Sequence, residues 1–471
     1  LDLRRHYMDV FRASLDSEIR DVRFDLSSVD ADTLETLIAA LNDDDERRVL
    51  TALDLLAAMD RTSAIPGLML RHSSHRVVRR ALEHLSKADR ADLVSLLPEL
   101  LDHSDSRIRA AALRVALRRG DEGTLRRALH DRAPSVRATA GAGLAALGGG
   151  ADDTLSRSLE GEVAVRRAVA ITFGERPHER LQALLLRLTF DPDARVRRDA
   201  AAALGHPTYA GRAPSLIQLL PDRPIREAVR RSLVGTGPRT LDLLREVLAD
   251  PEASHAVRRQ IPDAIAEFGG SLAAGALSDR LLIEPDGMIR FKILRALGRM
   301  RRRDPSLVLD QAALRAAQSI TEQTALRLMN WRHALEDKAD AEGFADSTER
   351  QLLIGLLRDK ERHAVERLFR LMNLSADNDD FFRVHRGLES GGVASVSSSC
   401  ELLEHLVPPS RSPGLYRLVQ DLYDTDTSAL VGRERSGATA EETLKELIAA
   451  QSDKLGVLAC AVLDPDQETR P

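Results

Sequence analysis

The 471 residues include 68 basic and 73 acidic side chains, so the formal net charge is only −5. A dedicated nucleic-acid-binding protein usually has a basic excess, and this balance disfavours that class. Cys400 and Cys460 are the only cysteines and form no CxxC motif, which disfavours a disulfide framework and a zinc site. No apolar run reaches the ~18 residues of a membrane-spanning helix, so no span is predicted.

The first 30 residues predict one amphipathic helix followed by a connector. The apolar residues at helical spacing are Leu3, Tyr7, Val10, Phe11 and Leu15. Residues 45–56 then have the phase of the repeat described next, but Val49 occupies its arginine position. A terminal repeat lacks one neighbour, so an atypical unit is expected there.

Between residues 78 and 290 a short phrase recurs, in which arginine follows a β-branched aliphatic residue. The eight pairs are Val78-Arg79, Ile108-Arg109, Val136-Arg137, Val165-Arg166, Val196-Arg197, Ile225-Arg226, Val257-Arg258 and Ile289-Arg290. Successive arginines are 30, 28, 29, 31, 29, 32 and 32 residues apart. A period of this length is typical of a solenoid of stacked helical hairpins.

Residues 181–205 show the plan of one repeat. Leucines at helical spacing predict a first helix, and Pro192 marks the turn that ends it. A second helix follows from Ala194 and ends at Gly205. Each hairpin exposes an apolar face that it cannot bury alone, so neighbouring hairpins must stack.

Beyond Arg290 the period is lost. A basic patch comes first, with Arg299, Arg301, Arg302 and Arg303 as groups that could meet phosphate or an acidic surface, or form a solvated helix end. Longer helices are predicted from residue 307 to about residue 340, and divergent helical pairs at residues 352–374 and 400–422. The Gly- and Ser-rich residues 389–399 predict a flexible loop.

The recurrent arginine lies in the first turn of a helix, where its charge opposes the helix dipole. We therefore expect a compensating ladder, in which each arginine binds an aspartate of a nearby inter-helix turn. The candidate aspartates are Asp105, Asp131, Asp193 and Asp222. The alternative is a row of anion-binding groups, for which the second arginine of the phrase is better placed because the first already has a partner. These second arginines are Arg80, Arg167, Arg198 and Arg259.

Residues 191–201 read Asp-Pro-Asp-Ala-Arg-Val-Arg-Arg-Asp-Ala-Ala and resemble the HEAT repeat, specifically the short variety first noted in bilin-lyase-like proteins. Residues 78–290 carry this resemblance. It implies an all-α fold, a right-handed α-solenoid of stacked helical hairpins. Such solenoids present an extended concave surface to partners.

A second resemblance rests on Leu3–Tyr7, Glu366–Met372 and Glu401–Leu406. These segments are similar to parts of bacterial membrane proteins that join an ATP/ADP-carrier-like transporter domain to a long HEAT-repeat region, sometimes followed by a cyclic-nucleotide-binding domain. The resemblance implies that this chain is the cytoplasmic part of such a protein, at the inner face of the membrane. We expect Leu1 to lie just after the transporter domain.

No catalytic, cofactor or metal site is predicted. The sequence has no phosphate-binding GxxxxGK[ST] loop, no GxSxG elbow and no HExxH helix. His72 and His75 are the closest histidine pair, but without a nearby carboxylate or thiolate they make a weak metal site. His178-Glu179 is the only His-Glu pair, too few for the di-iron hydroxylases that resemble this fold.

These patterns favour a non-catalytic protein-interaction or regulatory scaffold that binds a protein partner or a sister domain, and no nucleic acid. One alternative is an enzyme or enzyme-accessory module of the bilin-lyase type, and another is binding of an anionic ligand along the second arginines. The predicted domains are an N-terminal helix and connector (1–30), a regular repeat array (31–300) and divergent helical repeats (301–471).

Overall fold

The structure is a computed structural model that describes residues 31–86, 90–148, 152–338, 347–376, 380–423, 439–449 and 453–463. The helix predicted in residues 1–30 lies outside this part of the chain. Every regular element in the described ranges is a helix, and they contain no β-strand. The predicted all-α class is therefore confirmed, and the helical hairpins stack as an α-solenoid requires.

The chain divides into two compact units, Leu1–Leu244 and Arg245–Pro471. The helices of the first unit are α1 (Ala31–Ala40), α2 (Glu46–Ala58), α3 (His75–Leu85), α4 (Ala91–Leu101), α5 (Ser106–Arg118), α6 (Glu122–Ala128), α7 (Pro134–Leu147), α8 (Asp152–Leu159), α9 (Val163–Glu175), α10 (Gln182–Leu188), α11 (Ala194–Ala203), α12 (Ala213–Gln218) and α13 (Arg226–Gly235). Helix α14 (Arg239–Ala249) contains the boundary between the units.

The first unit is built from two layers of helices. The second helices of the hairpins (α2, α3, α5, α7, α9, α11 and α13) form one layer, in which each helix packs on the next. The first helices (α4, α6, α8, α10 and α12) each pack on the second helix that follows. The β-branched residue of the phrase lies between the layers and is buried, as Ile108, Val136 and Val196 show. Burial of this residue in every repeat holds the hairpins together.

Side-chain caps mark the start of four of the second helices, α2, α3, α5 and α11. Asp45, Asp105 and Asp193 each accept a hydrogen bond from the backbone N–H two residues later, and Ser74 does the same for α3. This satisfies a donor that the first turn leaves without an intrahelical partner. In α5 and α11 the cap therefore places the arginine of the phrase four residues into the helix.

The helices of the second unit are α15 (His255–Arg258), α16 (Ile261–Phe268), α17 (Gly270–Ile283), α18 (Gly287–Arg303), α19 (Gln311–His333), α20 (Thr348–Ala376), α21 (Asp380–Glu389), α22 (Val393–Leu406), α23 (Pro413–Tyr423), α24 (Ala440–Ala449) and α25 (Asp453–Leu463). Helices α19 and α20 pack along each other. They share one buried core with α21 to α25, which includes Leu357, Phe369, Leu403 and Tyr416. The predicted lengthening of the helices after residue 307 is thus confirmed.

Two expectations for the second unit are wrong. Residues 352–374 form no helical pair but belong to one helix of 29 residues, α20. The strong helix formers between residues 356 and 362 contain no breaker, so the helix continues through them. Residues 389–399 form no long loop, because α22 begins at Val393 and buries Leu403 in the core. Packing of an apolar face stabilises this helix despite its serines.

None of the described helices combines the length and the apolar character needed to span a membrane.

Candidate functional site

Arg109 joins its own inter-helix turn to the next one. Its Nε and Nη2 donate hydrogen bonds of 2.9 and 2.8 Å to the two carboxylate oxygens of Asp131. Its Nη1 donates to the backbone carbonyls of His103 and Ser104, at 2.7 and 3.0 Å. The residue is only 4% exposed. The guanidinium therefore satisfies carbonyls at the end of one hairpin's first helix while it binds the following hairpin.

The same arrangement recurs at Asp191. Its carboxylate accepts hydrogen bonds of 2.6 and 3.0 Å from Arg166 of the preceding repeat. Its backbone carbonyl accepts a 2.9 Å hydrogen bond from Arg197 of its own repeat. Arg197 in turn donates to the carboxylate of Asp222, at 3.0 Å. The predicted ladder is therefore present at Arg109, Arg166 and Arg197, and Asp191 links two successive arginines. Arg226, in contrast, donates to the backbone carbonyls of Leu220 and Pro221 and forms no ion pair within the described ranges.

In the second unit Glu284 replaces aspartate in this role. Its carboxylate oxygens accept hydrogen bonds of 3.2 and 3.1 Å from Arg258. Its backbone carbonyl accepts a 2.6 Å hydrogen bond from Arg290. Asp131, Asp191 and Glu284 each lie six residues before the arginine that binds their carbonyl. This spacing holds in these three repeats, whereas Asp222, the partner of Arg197, lies four residues before Arg226.

The predicted partners are only partly correct. Asp131 and Asp222 bind ladder arginines, but Asp105 and Asp193 are N-caps, each accepting a 2.8 Å hydrogen bond from the backbone N–H two residues later. Asp191 binds Arg166, the preceding repeat's arginine, where Asp193 was expected. A cap position and a ladder position lie two residues apart, and both favour aspartate, so sequence alone did not separate them.

One of the eight pairs is out of register. Ser74 caps α3, and the residue four positions later, where the other caps place the ladder arginine, is the buried Val78. Arg79 is one residue further on, and its Nε lies 3.8 Å from Glu83 of the same helix. The first repeat therefore resembles the one before it, in which Val49 follows its cap by four residues.

Ladder contacts shift the pKa values of the charged groups. The hydrogen bonds from Arg109 hold the pKa of Asp131 below its usual value, and the carboxylate raises the pKa of Arg109. Burial opposes ionisation of Asp191, but hydrogen bonds from Arg166 and a backbone N–H outweigh it, and its pKa is also lowered. Both aspartates are therefore held in their charged form.

Two of the second arginines bind neighbouring repeats. The Nε of Arg80 lies 3.0 Å from a carboxylate oxygen of Asp54 in α2. The Nε of Arg167 donates a 2.6 Å hydrogen bond to Asp199 in α11. These contacts join second helices to each other, and they occupy groups that the sequence had suggested for an anionic ligand.

The other two second arginines differ from this pair. Arg198 is exposed and forms no ion pair or hydrogen bond within the described ranges. Arg259, which belongs to the second unit, has a buried Nε without a hydrogen-bond partner in the part of the chain that the structure covers. The four side chains thus share no binding partner.

Residues 153–234 match the family model of HEAT repeats. The matched stretch contains Arg166, Asp191, Arg197 and Asp222. The ladder pairs Arg109–Asp131 and Arg258–Glu284 lie outside it. Residues 153–234 therefore contain HEAT repeats, as the sequence pattern predicted for the longer stretch 78–290. No curated protein matches the chain significantly.

A further contact between repeats skips one unit. Helix α7 is built largely from buried alanine and glycine, and α5 contacts α9 across it. The Nε of Arg118 donates a 2.8 Å hydrogen bond to Glu175, and the Nε of Arg114 lies 3.8 Å from the same carboxylate. These residues are 57 and 61 positions apart, about two repeats, so the 30-residue period did not reveal them. The small residues of α7 were the sequence feature that could have indicated this contact between α5 and α9.

The second unit contains a buried charge cluster that the sequence did not indicate. Arg332 donates from Nε to Glu361 at 3.0 Å and from Nη1 to Glu336 at 2.7 Å, and its Nη2 binds Asp421. His333 Nε2 lies 2.5 Å from the other oxygen of Asp421. Glu361 is fully buried, and burial raises its pKa to about 7. One guanidinium thus holds three carboxylates together.

No group of three or more His, Cys, Asp or Glu side chains in the described ranges is arranged to hold a metal ion. The carboxylates around Arg332 are each bound by its guanidinium. Such a cluster fixes the relative positions of α19, α20 and α23.

Proposed function

We propose that this chain is a non-catalytic protein-interaction scaffold whose binding surface is the layer of second helices in the first unit. HEAT-repeat solenoids characteristically present such extended surfaces. The observation that carries the proposal is the continuity of this layer, in which each second helix packs on the next from α2 to α13. The ladder fixes the hairpins at their turns, so the faces of the second helices stay free for a partner.

The surface of the partner that binds this layer is acidic. Helices α5, α7, α9 and α11 contain ten arginines and only two acidic residues, Glu175 and Asp199. Arg107 and Arg198 are exposed and form no side-chain ion pair within the described ranges. A surface with unpaired arginines favours carboxylate-bearing partners, because the guanidinium fork binds a carboxylate with two hydrogen bonds.

A photo-cross-linking amino acid placed at position 198 tests this surface in cells. We expect one dominant cross-linked protein, which is lost when Arg107→Glu is introduced into the same chain. The control position is 187, an exposed arginine on the first helix α10. Equal cross-linking from both positions would show that the second-helix layer is not the binding surface.

We also propose that the scaffold is the cytoplasmic region of a transporter-like membrane protein. Support comes from the segments that resemble such proteins, of which Glu366–Met372 lies in α20 and Glu401–Leu406 in α22. Expression of the complete reading frame with a C-terminal tag tests this. We expect the tag in the membrane fraction after an alkaline wash; recovery in the soluble fraction would contradict the proposal.

A further inference from the structure

A basic cavity of about 320 Å³ lies in the second unit between α18 and α20. Five arginines line it, namely Arg295, Arg299, Arg301, Arg302 and Arg370. None of its lining residues in the described ranges is acidic. Cavities of this size accept small molecules rather than single ions. The positive charge of the lining arginines favours an anionic ligand in this cavity.

Gly298 creates the hollow in α18. It lies between Arg295, three residues earlier, and Arg302, four residues later, so all three share one face of the helix. A Cβ at Gly298 would lie 3.7 Å from Nη1 of Arg302 and 3.9 Å from Leu374. Any longer side chain would therefore enter the space between the two helices.

Three of the five arginines have protein partners, and Arg301 is one of them because it donates to the backbone carbonyl of Leu374. Arg299 binds Asp263, and Arg370 binds Glu366 at 2.8 Å. Arg295 and Arg302 are exposed and form no ion pair or hydrogen bond within the part of the chain that the structure describes. Within the described ranges, the positive charge of Arg295 and Arg302 is therefore not offset by the cavity's own walls.

Arg370 is held rigidly at the wall of the cavity. Its guanidinium carbon lies 4.6 Å from the ring centroid of Phe291 and 5.3 Å from that of Phe382. Cation–π contacts of this kind orient the guanidinium plane. Its Nε and Nη2 donate to Glu366, which leaves Nη1 without a protein partner in the described ranges. The Nη1 group of Arg370 is thus held in a fixed orientation and can donate to a ligand.

A simpler explanation is that these arginines stabilise the C-terminal end of the α18 dipole. Arg301, Arg302 and Arg303 do lie in its last turn, where cations are favourable. Arg295 lies two turns earlier, however, and Arg370 belongs to another helix. The dipole therefore accounts for the end of α18 but not for the convergence of both helices on one cavity.

We propose that this cavity binds a small organic molecule through its phosphate group. Arg295 and Arg302 supply the uncompensated charge, and Nη1 of Arg370 supplies an oriented donor. Guanidinium groups bind phosphate oxygens with short charge-assisted hydrogen bonds. The organic part of the ligand packs on the apolar lining, which includes Leu294, Leu374 and Phe382. This site is independent of the proposed protein-interaction surface.

Isothermal titration with inorganic phosphate, pyrophosphate and AMP tests the proposal. We expect saturable binding of at least one of these probes, with the organic phosphate AMP bound more tightly than inorganic phosphate. The variant Arg295→Glu/Arg302→Glu should weaken binding by about tenfold or more, since two cationic contacts become repulsive. Arg315→Glu is the matched control, because Arg315 is an exposed arginine of α19 outside the cavity.

Gly298→Leu tests the shape of the cavity without changing its charge. We expect it to abolish binding while the thermal unfolding temperature is retained. The source of the phosphate is resolved with vesicles of phosphatidylcholine with and without phosphatidic acid. Vesicle binding that requires phosphatidic acid, Arg295 and Gly298, without binding of the soluble probes, assigns a lipid headgroup.

Three outcomes would overturn the proposal. One is the absence of saturable binding to every soluble probe and to the acidic vesicles. A second is an equal loss of affinity in Arg315→Glu and in Arg295→Glu/Arg302→Glu, which would indicate general attraction to a basic surface. The third is undiminished binding in Gly298→Leu.

Discussion

Arg109 and Asp131 belong to consecutive hairpins and meet through two parallel hydrogen bonds of 2.9 and 2.8 Å. The carbonyl of the same Asp131 accepts a hydrogen bond from Arg137, at 2.8 Å. One residue therefore connects the arginines of two repeats, through its carboxylate and through its backbone. Because each repeat contacts mainly its neighbours, contacts of this kind set the stability of the interfaces.

Arg109→Met should lower the free energy of unfolding by about 3–5 kcal/mol, since it leaves the Asp131 carboxylate partly buried without its cation. Arg137→Met is the matched control, because Arg137 donates only to carbonyls of its own turn and forms no ion pair within the described ranges. We expect that variant to lose about 1.5–3 kcal/mol. Chemical denaturation measures both, and equal losses would show that the carboxylate adds nothing.

The ladder also predicts sensitivity to acid. The folded-state pKa values of Asp131 and Asp191 lie below the usual 3.8, so the unfolded chain takes up protons first. The stability that these groups contribute is complete above the unfolded value and is lost as pH falls through the folded one. Asp191→Asn should flatten the acid limb of a plot of unfolding free energy against pH. An unchanged limb would contradict the assignment.

The stacked hairpins and the existence of a ladder could be predicted from the sequence, because their residues recur every 28 to 32 residues. The acidic partner could not be chosen correctly, since Asp191 and Asp193 are two residues apart in the same turn. Even the correct position does not guarantee a contact: Glu160 lies six residues before Arg166, yet Arg137 forms no ion pair with it. Contact formation depends on the local backbone, which spacing does not specify.

The long-range contacts of the second unit described above correspond to no periodic pattern in the sequence. Arg332 binds Glu361 and Asp421, which lie 29 and 89 residues away on different helices. The basic patch was visible as a run of arginines, but its cavity depends on Arg370 and on Phe382, which follow about 70 and 80 residues later. Long-range packing of unlike segments has to be seen in three dimensions.

Gly205 and Gly235 should be intolerant of larger residues, because they end the adjacent second helices α11 and α13 at close approach. A Cβ on Gly235 would overlap the carbonyl oxygen of Gly205. We expect Gly235→Ala to destabilise the protein by about 1–3 kcal/mol. Gly275→Ala is the control, since Gly275 lies inside α17 and no atom lies near the position of its Cβ. We expect this variant to raise the free energy of unfolding by about 1 kcal/mol, because alanine has the higher helix propensity. Thermal unfolding should therefore show a lower melting temperature for Gly235→Ala and a higher one for Gly275→Ala.

Arg367 should be replaceable without loss of stability. It is only 8% exposed, and it forms no hydrogen bond or ion pair in the part of the chain that the structure describes. Burial, with a further effect of Arg290, lowers its pKa to about 10. Arg367→Met should therefore be neutral or stabilising, whereas Arg332→Met should cost about 3–5 kcal/mol because it leaves carboxylates without their cation. Similar losses in both variants would contradict this contrast.

Glu361 makes the second unit less stable as pH rises towards neutrality. Burial raises its folded-state pKa from the usual 4.5 to about 7, so the folded protein binds a proton that the unfolded chain has released. The stability that this proton contributes is complete below 4.5 and is lost as pH rises through about 7. Loss of this proton lowers the free energy of unfolding by ~3 kcal/mol.

Glu361→Gln should remove most of this slope and stabilise the protein at neutral pH. His333 adds a slope of the same sign, because its hydrogen bond to Asp421 raises its pKa above 6.5 and its stabilisation is likewise lost as pH rises. We therefore expect Glu361→Gln to retain a weaker slope above pH 6.5, which Glu361→Gln/His333→Asn removes. Denaturant titrations across this range measure the effect. A slope in Glu361→Gln identical to that of the wild type would show that Glu361 is ionised in the folded protein.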